Sequence, residues 1–195
     1  MSERIHAIAL ASASPRRLAL LQSIGLDVTV VRSAYEEHRA DAKLEPGELV
    51  QLHAAGKAER AEPAGPALLI AADTLVAVGD EVLGKPKDAV EARSMLRRLS
   101  GRRHTVYTGF AVVDRLTGGR TIGMESTAVQ FSPLSDGEIE RYVATGEPLD
   151  KAGAYGIQGR GALLVTSIAG DFYTVMGLPL ARVARACATL GYDLI

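Results

Sequence analysis

The segment Ser12-Ala13-Ser14-Pro15-Arg16-Arg17 places two arginines at the start of a predicted helix. Cations are unfavourable there, because the helix dipole leaves partial positive charge at that end. Anions are favoured, and phosphate is the usual one. Two guanidiniums after a loop of small residues suggest a phosphate clamp, since the planar fork of arginine binds phosphate bidentately. Two solvated arginines on an exposed turn explain the same residues equally well. The GxxxxGK[ST] pattern of a Walker loop is absent.

Asp73-Thr74 closes a continuous apolar run, ALLIAAD (67–73), which predicts a buried strand ending at the carboxylate. Ligands of open α/β sheets collect at the carboxyl ends of strands. A carboxylate placed there can coordinate Mg²⁺ or orient an attacking water, and a turn-capping aspartate is the competing reading. Lys57 in AAGKAE and Lys85 in LGKP are isolated cations that would ordinarily be solvated. Glu36 and Glu37 are adjacent carboxylates in a polar loop, by default an acidic face.

GEPLDKAGAYGIQG (146–159) carries four glycines, a proline, Asp150, Lys151, Tyr155 and Gln158 within one stretch. Long loops with such backbone freedom and side-chain chemistry are often functional. Gln158 offers both a donor and an acceptor, as reading a nucleobase edge requires. A glycine-rich connector with an incidental amide is the alternative. Histidines 6, 38, 53 and 104 show no metal-ligand spacing such as HExxH, and His104 reads as structural. No GxSxG elbow supports a serine nucleophile. Cys187 shares a helical stripe with Leu180, Val183, Ala184 and Leu190, so it reads as inert core.

Alternating elements must position these groups. A first strand over 5–11 leads to a helix with Ser14 as N-cap and Pro15 at its first position, closed by Gly25. A short strand near 28–31 and a helix over 46–59 precede ALLIAAD. Asp88 and Glu91, then Ser135 and Glu138, form capping-box patterns that open two further helices. Strands near 104–115 and 120–131 flank the turn signal Thr117-Gly118-Gly119, a strand is predicted at 162–168, and a last helix follows Pro179. The alternation implies an α/β fold with a mixed sheet.

With 195 residues, 47% hydrophobic and 23% charged, the chain can bury one substantial core, and disorder or coiled coil are excluded. The net charge is −1 and the isoelectric point about 6.4. That balance, 5% aromatic content and no tryptophan argue against a nucleic-acid-binding module. One cysteine permits neither an intrachain disulfide nor a cysteine-based zinc site. No apolar run reaches the roughly 18 residues of a membrane span, and the start reads into a strand rather than a signal peptide. A cytoplasmic protein without a membrane partner is expected.

Together, ASASPRRLALL, AADTLV, LGKP, GRRHTVYTG, GEPLDKAGAYGIQG and VMGLPL resemble, in order and spacing, the Maf family of nucleoside triphosphate pyrophosphatases over nearly the whole chain. The resemblance implies hydrolysis between the α and β phosphates with a divalent metal cation (Mg, Mn or Co). It implies an elongated mixed β-sheet with flanking helices, two lobes around a cleft, similar to inosine triphosphate pyrophosphatase. On that view residues 1–195 form a single Maf-like domain with no separable second one. Asp73 falls on the proton acceptor. Arg16, Thr74 and Gln158 fall on positions linked to substrate choice. Ser12, Arg17, Lys57 and Lys85 line the substrate side, and Glu37 with Asp73 would hold the metal. The intact KAGAYGIQG form is similar to the branch acting on dTTP and UTP, in a nucleotide-pool house-cleaning role, and modified pyrimidine triphosphates are included in the expectation. The alternative is a catalytically weak nucleotide-binding regulator linked to cell division. A homodimer is left open. One departure stands out: His53-Ala54 occupies the place of the family's usual Leu-Ala before the helical lysine, and Gly56 costs that helix roughly 1 kcal/mol relative to alanine.

Overall fold

The computed structural model describes residues 3–4, 6–36 and 44–194. The strands are β1 (Glu3–Arg4), β2 (Ala7–Ala11), β3 (Asp27–Val30), β4 (Leu68–Val78), β5 (Glu81–Leu83), β6 (Arg103–Asp114), β7 (Arg120–Phe131), β8 (Val165–Ala169) and β9 (Tyr192–Asp193). The α-helices are α1 (Pro15–Ser23), α2 (Pro46–Glu59), α3 (Ala89–Leu99), α4 (Asp136–Val143), α5 (Phe172–Met176) and α6 (Leu180–Thr189). Among the described residues, seven strands form one sheet in the order β3-β2-β4-β6-β7-β8, with β5 on β4. β2 pairs in parallel with β3 and β4, whereas β4–β5 and β7–β8 are antiparallel. This is the mixed α/β sheet that the alternation of elements implies.

Local signals set most boundaries. Pro15 begins α1, and Gly25, at φ +84°, leaves it in the left-handed conformation that glycine adopts freely. Asp88 accepts from the Val90 and Glu91 amides at the start of α3, and Ser135 with Glu138 closes a reciprocal capping box on α4. Two expectations need correction. β4 does not stop at Asp73 but continues to Val78, because its last residues pair with β5 after the first have paired with β2. Residues 162–164 are not strand: they finish a 3₁₀ segment over 159–164, and β8 starts only at Val165.

The chain divides into two compact units. The first comprises residues 1–73, 108–125 and 177–195, the second 74–107 and 126–176. In the first, small residues carry the contact between α2 and the sheet: Ala54 and Ala58 pack on Ala9, Ala11, Ala71 and Ala111. Gly109 on β6 extends this, since a β-carbon there would collide with the Val50 backbone. The α2 backbone thereby lies close to the sheet. The second unit has a larger-residue core in which Leu96, Leu99, Phe131 and Ile139 are fully or almost fully buried. Each such side chain contributes about 1.5–3 kcal/mol relative to exposure. His104 lies there too, its Nε2 2.8 Å from the Tyr155 hydroxyl and its ring edge-on to Phe131, which bears out a structural histidine. Cys187 is buried, and burial pushes its thiol up to about 12.

Candidate active site

Asp73 is buried on β4, two residues beyond the point where Ala71 pairs with Ala11, the last residue of β2. Its side chain thus emerges just past the carboxyl end of β2, beside the loop that begins at Ser12. From α2, Lys57 Nζ reaches Asp73 Oδ1 at 2.6 Å, and His53 Nδ1 reaches Oδ2 at 3.0 Å. Residues four apart share one face of a helix, so a single helical face grips both carboxylate oxygens. Against an ionised carboxylate only a protonated nitrogen forms this bond, which assigns the proton to Nδ1 of His53.

Burial alone would raise the pKa of Asp73. The hydrogen bond from His53, the charges of Lys57 and Arg17 and the hydrogen bond from Lys57 outweigh it, holding the carboxyl well below the usual carboxylate range. Asp73 is therefore an anion with cationic neighbours. Gly56 has its reason here as well. The Tyr35 ring fills the space a β-carbon on Gly56 would need and lies 5.9 Å, centroid to centroid, from the His53 ring. The helix gives up intrinsic stability at Gly56 and gains an aromatic wall beside His53.

Arg17 is buried, and it does not stand as a free phosphate fork. Its Nε donates to the Gly177 carbonyl at 2.7 Å and its Nη1 to Ser12 Oγ at 3.0 Å. Ser12 Oγ also accepts from the Ser14 amide at 3.3 Å. Arg17 thus ties the start of α1 to the turn at Gly177-Leu178-Pro179, joining two motifs 160 residues apart. Arg16, next to it, is half-buried.

In the first unit the structure therefore brings together Ser12, Arg17, Lys57 and Asp73. Thr74, half-buried, and Lys85, exposed, belong to the second unit, as does Gln158. Within that unit the Lys85 turn and the glycine-rich loop are joined: the Gly153 amide donates to the Gly84 carbonyl at 3.0 Å. Gly153 has φ +69°, and a β-carbon on it would lie 2.9 Å from Val76. Gln158 is exposed at the far end of the loop. Glu37 lies outside the described residues.

His53 is a site residue that the motifs do not announce. Its i, i+4 spacing to Lys57 is the one signal of it along the chain. The described donors alone complete no resident metal site, and Glu37 is not among them. Both oxygens of Asp73 are engaged by α2, and among the described residues no group of three histidine, cysteine, aspartate or glutamate side chains could hold an ion.

A family model described as "Maf-like protein" matches residues 7–190. The chain belongs to the Maf family. Among curated relatives, a dTTP/UTP pyrophosphatase of Moorella thermoacetica is 52% identical over 95% of this chain and 96% of its own. Proteins of the same name from Symbiobacterium thermophilum and Dictyoglomus thermophilum are 48% and 46% identical, over 95% and 96% of this chain and 94% and 98% of theirs. Among solved structures, a HAM1 protein from Coxiella burnetii aligns at a TM-score of 0.44 and 16% identity over 77% of this chain and 86% of that one, too loose a likeness to add to the fold. Among the described residues of this Maf protein, no helix is long and apolar enough to cross a membrane.

Proposed function

We propose that this Maf protein hydrolyses dTTP and UTP, and modified pyrimidine triphosphates, to the monophosphate and pyrophosphate, clearing the nucleotide pool. The observation that carries the reading is the buried, ionised Asp73 held by Lys57 beside Arg17, in a chain whose full-length relatives bear that activity in their names. In the proposed reaction a water oxygen bonds to the α-phosphorus, the bond from that phosphorus to the α,β-bridging oxygen breaks, and pyrophosphate leaves. Asp73 takes the water proton.

An aspartate whose charge is so well balanced is a weak base as it stands. Lys57 supplies the remedy. A triphosphate oxygen competes with Asp73 for the Lys57 ammonium, and a carboxylate that loses this partner becomes more basic. Arg16, Arg17, Ser12 and Lys85 are proposed to offset phosphate charge as the leaving group forms. Gln158 is proposed to pair with the O4 and N3–H edge of uracil or thymine, with Thr74 and Arg16 contributing to substrate choice. A divalent cation (Mg, Mn or Co) is the proposed cofactor. Mg²⁺ is commonly held by one or two carboxylates plus substrate phosphates, and Asp73 with Glu37 are the carboxylates proposed.

The chain is proposed to act as one Maf-like domain in the cytoplasm, with no nucleic-acid or membrane partner, and sedimentation against concentration tests a homodimer. The deciding experiment is pyrophosphate release from canonical and modified triphosphates with Mg²⁺, Mn²⁺ or Co²⁺. Fastest release from dTTP and UTP is expected. No release from any triphosphate with any of the metals would replace the enzyme by a nucleotide-binding regulator.

A further inference from the structure

We infer that Glu147, through Tyr142, sets the shape of the loop that presents Gln158, and so is a positioning residue for base preference. The inference rests on the proposed base-reading role of Gln158. The Glu147 carboxylate collects three donors. The Tyr142 hydroxyl and the Gly161 amide donate to Oε1 at 2.9 and 3.1 Å, and the Arg160 amide donates to Oε2 at 3.0 Å. The Tyr142 hydroxyl in turn accepts from the Gly156 amide at 3.1 Å. One phenol–carboxylate pair therefore holds the backbone two residues before Gln158 and two and three residues after it. Gln158 stands exposed between these two feet.

The geometry leaves little freedom at either foot. Gly159 has φ +65°, and a β-carbon on it would lie 2.8 Å from Glu147 Oε2. A β-carbon on Gly161 would lie 2.6 Å from the Tyr142 hydroxyl and would collide with the Gly156 carbonyl. Glu147 is itself fixed, its carbonyl accepting from Lys151 Nζ at 2.6 Å and its amide donating to Thr145 Oγ1 at 3.1 Å. Burial, reinforced by the Glu147 bond and charge against an opposing bond from Gly156, raises the pKa of Tyr142, so the phenol remains a donor. Bonds to an ionised acceptor are the stronger kind, which suits a carboxylate that orders a loop with no strand or α-helix of its own.

The test compares wild type, Glu147→Gln, Tyr142→Phe and Gln158→Ala. It measures kcat/KM for dTTP, UTP and dATP, together with hydrogen exchange at the Gly156, Arg160 and Gly161 amides. Glu147→Gln keeps the shape but loses one acceptor, and Tyr142→Phe keeps the core packing but removes the bridge. Both are expected to cut the dTTP/dATP preference roughly tenfold to 100-fold by misplacing Gln158, with faster exchange at the three amides. A merely structural role would lower activity on all three substrates alike. If Gln158→Ala leaves the preference unchanged, base reading by Gln158 fails and the inference goes with it. If Gln158→Ala collapses the preference while the other two variants fold and retain it, only the role of Glu147 is overturned. Tyr142→Phe decides alone should Glu147→Gln not fold.

Discussion

The backbone of Val50 on α2 passes so close to Gly109 on β6 that a β-carbon on Gly109 would lie 2.7 Å from the Gln51 amide nitrogen and collide with the Val50 carbonyl group. One and two turns further along α2, His53 and Lys57 reach Asp73. The missing side chain at Gly109 is thus a condition for the site, because the hydrogen bonds to Asp73 depend on how near α2 lies to the sheet. Gly109→Ala should lower stability by about 1–3 kcal/mol through overpacking. It should also lower kcat/KM, by about tenfold or more, as α2 moves outward. Urea unfolding and steady-state kinetics read both effects, and a variant matching wild type in each would detach the site from this approach.

Asp73→Asn should reduce turnover by roughly 10²–10⁴-fold, the usual worth of a positioned general base. Affinity for a non-hydrolysable dTTP analogue should stay the same or tighten, since Lys57 and Arg17 lose a competing anion. Calorimetry beside a pyrophosphate assay separates the two. Near-normal turnover in this variant would remove Asp73 from the chemistry.

Arg17→Lys keeps the charge but not the fork. A lysine cannot serve both Gly177 and Ser12 Oγ from one buried position with the spacing Arg17 uses. The loss should destabilise the fold by about 1–3 kcal/mol, the cost of a buried polar group left unmade. Ser12→Ala, which spares the Gly177 bond, should cost less. Equal melting curves for Arg17→Lys and wild type would show that the tie to Gly177 contributes nothing.

His104 gives a pH dependence of definite sign. Burial lowers its pKa from 6.5 to about 4, and the Arg102 backbone, which favours the charged ring, only partly opposes it. Between those values the unfolded chain binds the proton and the folded chain does not, so stability rises with pH. The contribution is complete above pH 6.5 and is lost as pH falls toward 4, up to about 3 kcal/mol. His104→Gln should flatten the stability profile in that window relative to wild type, as urea titrations at pH 4 to 7.5 would record. Parallel profiles would mean that His104 does not titrate differently on folding.

Elements with local punctuation are legible in the amino-acid sequence. Pro46–Glu59 is α2 to the residue, and Ser135 with Glu138 opens α4 with the expected box. At α3 Asp88 caps as expected, but Glu91 reaches back to the Lys87 amide instead of completing the box. The far end of β4 is not legible, because Asp73-Thr74 interrupts an apolar run and reads as a terminus. β5, paired across the turn at Gly79-Asp80, keeps the backbone extended beyond it. The run at 162–164 reads as strand, yet Glu147 holds the Gly161 amide and the backbone there coils. α5 is a single short helix that the apolar pattern does not mark, although Asp171 accepts from the Thr174 amide and so caps it.

Residue types and their spacing along the chain are enough to fix the α/β alternation and the family, and to single out the residues proposed to carry charge toward a triphosphate. How those residues are engaged emerges on folding alone. Arg17 becomes a tie rather than a free clamp, His53 joins Asp73, and Glu147 stands behind Gln158. A hydrogen bond between residues 20 or 160 positions apart is set by how closely helices and strands pack, which no local pattern encodes. In this protein that packing depends on Gly56 and Gly109, where space rather than chemistry is what the residue supplies.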